Sequence, residues 1–238
     1  GIPEYQQLFT AAFPGVPEDE LTMAHAGNAI AEFQIDAFTL VDSPFDQYLG
    51  GENDALTTQQ KDGLELFFDQ AGCFLCHSGP HFTDFLFHDI GVPQLGPGKG
   101  DGPDGRADFG RERVTNLAGN RYRFRTPPLR NVAATGPWGH DGAFTTLRGF
   151  VELYNDPEAA ATNYDASQLE PLLQDAVVTS ETPLILERLS GELPDINLTP
   201  GQIEDVVAFL NALTSPSLAT LAQTVVPSGV PSGLPVTD

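Results

Sequence analysis

The chain has 238 residues and a formal charge of −22, with 33 Asp and Glu against 11 Lys and Arg. That balance argues against nucleic acid as a partner, since phosphate binding draws on surplus Lys and Arg, and no apolar run approaches the ~20 residues of a membrane span. The length allows one or two domains with a sizeable core, and the acidic surface is either a plain solvated face or a means of steering a basic partner such as a small electron carrier.

Residues 3–13 and 19–38 read as helices, the second with Leu21, Ala24, Ile30, Phe33 and Phe38 at roughly helical spacing, as a core helix would have. Ser43-Pro44 and Gly50-Gly51 mark a loop. Thr57 with Gln60 three residues on resembles a capping box, and Leu64, Phe67 and Phe68 follow on one face. That helix leads into Cys73-Phe74-Leu75-Cys76-His77, which holds the chain's two cysteines. The C-x-x-C-H spacing lets two thiols form thioethers to a haem while the adjacent histidine ligates iron from the same turn. A redox dithiol and half a zinc site are the alternatives. His77 weakens both, and zinc lacks a second ligand pair. One haem c on Cys73 and Cys76, with His77 as proximal ligand, is therefore the expectation. Such a haem is attached after export, so the mature protein is expected to be periplasmic or extracellular. The chain begins at Gly1 within helical pattern, so its leader would already be removed.

Residues 89–126 read as a long irregular segment containing the Gly/Pro-rich stretch 96–103, of the kind that is functional or flexible. Seven of the eleven basic residues lie between Arg106 and Arg130, opposed there only by Asp108 and Glu112, a local excess of 7 − 2 = +5. Haem propionates are suitable anions for arginine's bidentate fork, with Arg106, Arg125 and Arg130 as candidates. The alternative is pairing with the acidic remainder of the fold. Residues 145–155 read as a helix, and Thr199-Pro200-Gly201-Gln202 starts another that continues through Ile203, Val206, Val207, Leu210 and Leu213. The tail from Ser215 is rich in Pro, Ser and Gly. With no β alternation and no internal repeat, the expected class is mainly α with long irregular loops. The expected segments are 1–56, 57–214 with the haem box, and the tail 215–238.

The ligand on the far side of the iron is open on these grounds. The chain's one methionine, Met23, sits on the second helix. His25, His81 and His88 are each more in keeping with packing or surface positions. His140 lies in the tight turn Gly139-His140-Asp141-Gly142, which could aim its ring into a pocket beside Trp138. Tyr154, by spacing alone, is a core aromatic.

Several motifs are similar to the C-terminal half of the bacterial di-haem cytochrome c peroxidase and MauG family, from about Tyr5 to the end. They include Ser43-Pro44-Phe45-Asp46-Gln47-Tyr48-Leu49-Gly50 and Gly63-Leu64-Glu65-Leu66-Phe67 before the box. After it come Ser78-Gly79-Pro80-His81-Phe82-Thr83-Asp84, Thr126-Pro127-Pro128-Leu129-Arg130-Asn131-Val132 and Thr135-Gly136-Pro137-Trp138-Gly139-His140-Asp141-Gly142. The resemblance implies a cytochrome c-like haem domain. It also moves Tyr154 to a distal iron ligand, because the MauG branch places a tyrosine where the peroxidase branch has methionine. A deprotonated phenol would favour iron(III) and lower the potential. The resemblance further implies a Ca²⁺ site using the backbone carbonyls of Thr135 and Pro137, and a first haem domain upstream with its own box. The latter is expected on a cleaved or missing segment or on a partner chain. The function expected is an oxidoreductase subunit relaying electrons or oxidising equivalents between its haem and a peroxide-reactive one, to or from a donor or substrate protein. A monohaem electron carrier is the alternative, and a five-coordinate haem that binds small ligands is a third.

Overall fold

The computed structural model describes residues 2–189, 193 and 196–236; Gly1 and the last two tail residues lie outside the described residues. The chain is mainly α. Its helices are α1 (Pro3–Ala12), α2 (Met23–Phe38), α3 (Pro44–Leu49), α4 (Thr58–Phe68), α5 (Glu112–Thr115), α6 (Leu147–Asn155), α7 (Pro157–Thr162), α8 (Thr182–Arg188), α9 (Pro200–Ala212) and α10 (Leu221–Val225). Two antiparallel pairs of two-residue strands accompany them: β1 (Phe87–His88) with β3 (Phe124–Arg125), and β2 (Gln94–Leu95) with β4 (Val177–Val178). Among the described residues no single helix is long and apolar enough to cross a membrane.

Side-chain caps set where the principal helices begin. Thr57 Oγ1 accepts the Gln60 amide at 3.2 Å while Gln60 Oε1 accepts the Thr57 amide at 2.9 Å. Thr199 and Gln202 repeat this at 3.3 and 2.9 Å. Each box satisfies donors that a helix start leaves open, for about 1 kcal/mol.

The chain divides into two compact units, 1–43 with 215–238, and 44–214. Residues 44–56 therefore group with the haem-box unit, and the tail groups with the N-terminal helices, so the units are cut differently from the sequence segments. In the first unit Phe13 meets the His25 ring edge-on at 5.0 Å, and Asp42 accepts from the Ser217 amide and hydroxyl at 3.2 and 2.9 Å. The core role read for α2 is not what the structure has. Met23 is 84 % exposed, Ile30 60 % and Phe33 46 %, and Ala37 is the helix's one buried residue. Helical periodicity reports that an apolar stripe exists, not that anything covers it.

The second unit is built on α4 packed against α9. Gly63 makes this possible, because a Cβ there would overlap the Asp205 carbonyl oxygen and crowd Phe209. The close approach buries Phe67 and Phe209 with ring centroids 5.2 Å apart, and Phe45 and Phe82 complete an edge-to-face cluster at 5.4–5.9 Å. A smaller core joins Val92, Leu95, Phe144, Leu153 and Leu169, and Trp138 packs against both cores.

The irregular segment 89–126 is tied down by its own charges. Arg113 meets Asp101 at 2.6 Å, and Arg121 grips Glu112 with two bonds of 2.5 and 3.1 Å. The Arg121 bond holds the Glu112 carboxyl below its ordinary range. Arg111 and Arg121 also stack on Phe87 and Phe109, each 3.8 Å from the ring centre.

Gly63→Ala is expected to force α4 and α9 apart and to lower stability by about 3 kcal/mol. Urea denaturation of the variant beside the parent chain measures this, and an unchanged midpoint contradicts the close approach.

Candidate haem site

A cavity of about 400 Å³ opens inside the second unit, within the size range of cofactor pockets. Its floor is the haem box. Gly72, in the left-handed region at φ +61°, turns the chain out of α4 into a single 3₁₀ turn, Cys73–Leu75. The His77 amide closes that turn on the Cys73 carbonyl at 2.8 Å. Cys73 and Cys76 line the cavity with no disulfide between them, and burial pushes the Cys73 thiol up to about 12.

His77 is buried, and its Nδ1 donates to the Phe82 carbonyl at 3.0 Å. That bond fixes the tautomer and leaves the Nε2 lone pair for a metal. Burial holds the ring's pKa below its ordinary value, against the Phe82 bond that raises it, so the imidazole is neutral and fit to ligate at pH 7.

The opposite walls come from distant segments. α6 carries Tyr154 to the cavity, with Phe150 edge-on to its ring at 5.6 Å. Burial, and then the neighbouring Cys73 and Cys76, push the Tyr154 phenol well above its ordinary range. The turn 139–142 is pinned by paired bonds between Trp138 and Phe144, at 2.8 and 3.0 Å. Trp138 Nε1 donates to the Val132 carbonyl at 3.0 Å, and Asp141 accepts from the Leu95 and Ala143 amides at 2.9 and 3.2 Å. His140 stacks on Phe124 at 3.6 Å, nearly parallel. Gln94 Oε1 accepts the Asp108 amide at 2.8 Å, so its NH₂ faces His140 Nε2 at 3.2 Å and donates to it. The His140 proton is thereby placed on Nδ1, which is buried and has no partner among the described residues. β1 and β3 bring His88 and Arg125 to the rim. His88 Nε2 donates to Asp84 at 2.8 Å, and the Cys76 sulfur lies within 4.8 Å of the donor atoms of both.

The residues present fit a c-type haem. The lining is predominantly apolar, two thiols and a preset imidazole nitrogen share one turn, and a buried Nδ1–H awaits an acceptor. Of the residues singled out from sequence, Cys73, Cys76, His77, Arg125, Thr135, Pro137, Trp138, His140 and Tyr154 all line this cavity. Arg106 and Arg130 do not. Arg106 donates to the Asp175 carbonyl at 3.1 Å. Arg130 donates from Nη1 to both Asp46 oxygens at 2.9 Å and from Nε to the Pro80 carbonyl at 2.8 Å. These two follow the other reading of the arginine excess, pairing within the fold. Met23 and His25 belong to the other unit, and His81 is exposed outside the lining. Sequence reasoning did not assign His88, Tyr122 or Phe124 to the cavity; each arrives through loop pairing that no local motif announces.

Fold and cavity together define a cytochrome c-like haem domain. A family model described as di-haem cytochrome c peroxidase matches residues 1–54. The chain is 32% identical to the methylamine utilization protein MauG of Methylorubrum extorquens, over 93% of this chain and 53% of that protein. It is 36% identical to cytochrome c551 peroxidase of Pseudomonas aeruginosa, over 85% of this chain and 54% of that one. Among solved structures, a MauG-like protein associated with microbial copper homeostasis superposes with a TM-score of 0.69 at 29% identity, covering 93% of this chain and 61% of the other. The chain belongs to the di-haem cytochrome c peroxidase and MauG family, whose cofactor is haem c. It spans about half the length of the curated relatives it matches.

Arg130→Ala is expected to cost about 2 kcal/mol by removing the guanidinium that bonds both Asp46 oxygens while leaving the haem absorption spectrum unchanged. Arg125→Ala should shift that spectrum or the midpoint potential with little loss of stability. The opposite pattern would put Arg130 at the haem.

Proposed function

We propose that this chain carries the C-terminal haem of a MauG-like di-haem oxidoreductase, held by thioethers from Cys73 and Cys76 and by His77 and Tyr154. It relays electrons or oxidising equivalents to or from a peroxide-reactive haem on a preceding segment or partner chain. The observation that carries this reading is that His77 and Tyr154, 77 residues apart in the chain, both line one apolar cavity.

When bound, haem supplies a one-electron iron couple; the chain sets its direction. His77 offers a neutral nitrogen whose basicity is raised by its bond to the Phe82 carbonyl. Burial keeps the Tyr154 phenol protonated, and beside a bound ferric haem its oxygen would give up that proton and could serve as an anionic ligand. An anionic oxygen ligand favours the ferric state, which suits a haem that shares an oxidising equivalent better than one that accepts electrons at high potential. The apolar lining excludes water from both ligands. His140 Nδ1–H and Arg125 would offer donors to a bound haem's polar groups, and Trp138 lines the same cavity. The carbonyls of Thr135 and Pro137 would give two of the six to eight oxygens of a Ca²⁺ site, with water and a preceding segment supplying the rest. Attachment of a c-type haem places the mature protein in the periplasm or outside the cell, where a donor or substrate protein meets it. The single C-x-x-C-H box favours one other reading, a monohaem electron carrier.

The ferric haem-loaded chain is expected to give a low-spin electron paramagnetic resonance spectrum that turns high-spin in Tyr154→Phe, with the midpoint potential rising. A high-spin parent, or a low-spin signal unchanged in Tyr154→Phe, removes Tyr154 from the iron. Reversible one-electron cycling with no spectral response to peroxide, even with the preceding segment restored, selects the carrier.

A further inference from the structure

The cavity holds a second phenol that the ligation above leaves unused. Tyr122 lines it from the loop between α5 and β3 and is 2 % exposed. Its amide donates to the Phe109 carbonyl at 3.2 Å, and its ring meets Phe109 edge-on at 5.7 Å. Its backbone is held in the left-handed region at φ +61°, which an aromatic residue rarely adopts. The hydroxyl donates to Oε2 of Glu181, a carboxyl group 59 residues away that is itself 2 % exposed.

An ordinary packed tyrosine needs only some acceptor, and a backbone carbonyl serves at little cost. Burying a carboxyl group for that purpose is expensive, so its chemistry asks for a reason. Burial, and then the bond to Glu181, push the Tyr122 phenol well above its ordinary range, so the ring does not ionise by itself. Loss of one electron inverts the situation, since an oxidised phenol is a strong acid. Its proton must then have a base within hydrogen-bond reach. Glu181 is that base, already in place. Tyr154 faces the same cavity, but no hydrogen bond joins its hydroxyl to a described carboxylate.

We infer that Tyr122 is a one-electron donor to the oxidised haem of this cavity, with Glu181 as its proton acceptor. The inference rests on the haem reading above. In the step the Tyr122 O–H bond breaks, its electron reduces the oxidised haem by one equivalent, and its proton forms an O–H bond on Glu181 Oε2. A neutral tyrosyl radical and a carboxylic acid remain. The oxidant is a haem raised one equivalent above ferric, by peroxide through the second haem or by an added ruthenium(III) complex.

The test uses the haem-loaded chain, oxidised by flash-generated ruthenium(III) and freeze-trapped for electron paramagnetic resonance. The expected product is a tyrosyl signal that narrows with ring-deuterated tyrosine and falls at least about tenfold in Tyr122→Phe. It should fall equally in Glu181→Gln, which keeps a hydrogen-bond acceptor and removes the base. Bleaching of the haem band reports that the oxidising equivalent has arrived. Protein that is colourless after haem loading defeats the haem reading itself. Haem that bleaches without a tyrosyl signal, or a signal that survives in Tyr122→Phe, overturns the inference alone. Where Tyr122→Phe does not fold, an undiminished radical in Glu181→Gln does the same.

Discussion

The contact on which the second unit depends is the approach of α4 to α9 at Gly63, where one backbone meets the other with no side chain between. It lets Phe67 and Phe209 share a ring contact, and Phe82 closes on the same cluster. Phe82 then offers its carbonyl to His77 Nδ1. A packing constraint in the core thus becomes a chemical one at the site: the tautomer and aim of the His77 imidazole follow from where the aromatic cluster sits. The cap at Thr57 fixes where α4 begins, and Gly72 fixes how the chain leaves it.

What was legible in the sequence was local. Thr57 with Gln60, and Thr199 with Gln202, specify helix starts within four residues, and both form as read. The haem box announces itself because two thiols and an imidazole must lie on one turn. Long-range pairing left no such mark. Arg130 finds Asp46 across 84 positions and Tyr122 finds Glu181 across 59, and a charge count gives the excess without the partner. The arginine excess is plain in the sequence, but its partners are not: Arg113 and Arg121 pair with Asp101 and Glu112, and Arg106 and Arg113 also donate to backbone carbonyls. The apolar stripe of α2 was visible, but its burial was not, since that depends on what lies beside it. Tyr154 had no signal beyond family likeness; spacing alone made it a core residue.

The site divides its labour by sequence distance. One short turn supplies both thiols and a fixed nitrogen, while every group that would tune them arrives from elsewhere: Tyr154 on α6, His140 on a turn clamped by Trp138 and Phe144, Arg125 and His88 on a minimal strand pair. Trp138, which packs against both cores, is shared between them.

The bare stripe on α2 and the charge of −22 pull in opposite directions. Apolar side chains that water wets poorly draw molecules together, while like-charged surfaces hold them apart over a screening distance of about 10 Å at 0.1 M salt. As that distance shrinks toward about 3 Å in molar salt, the repulsion recedes and the attraction does not. The salt concentration therefore sets the balance between the two.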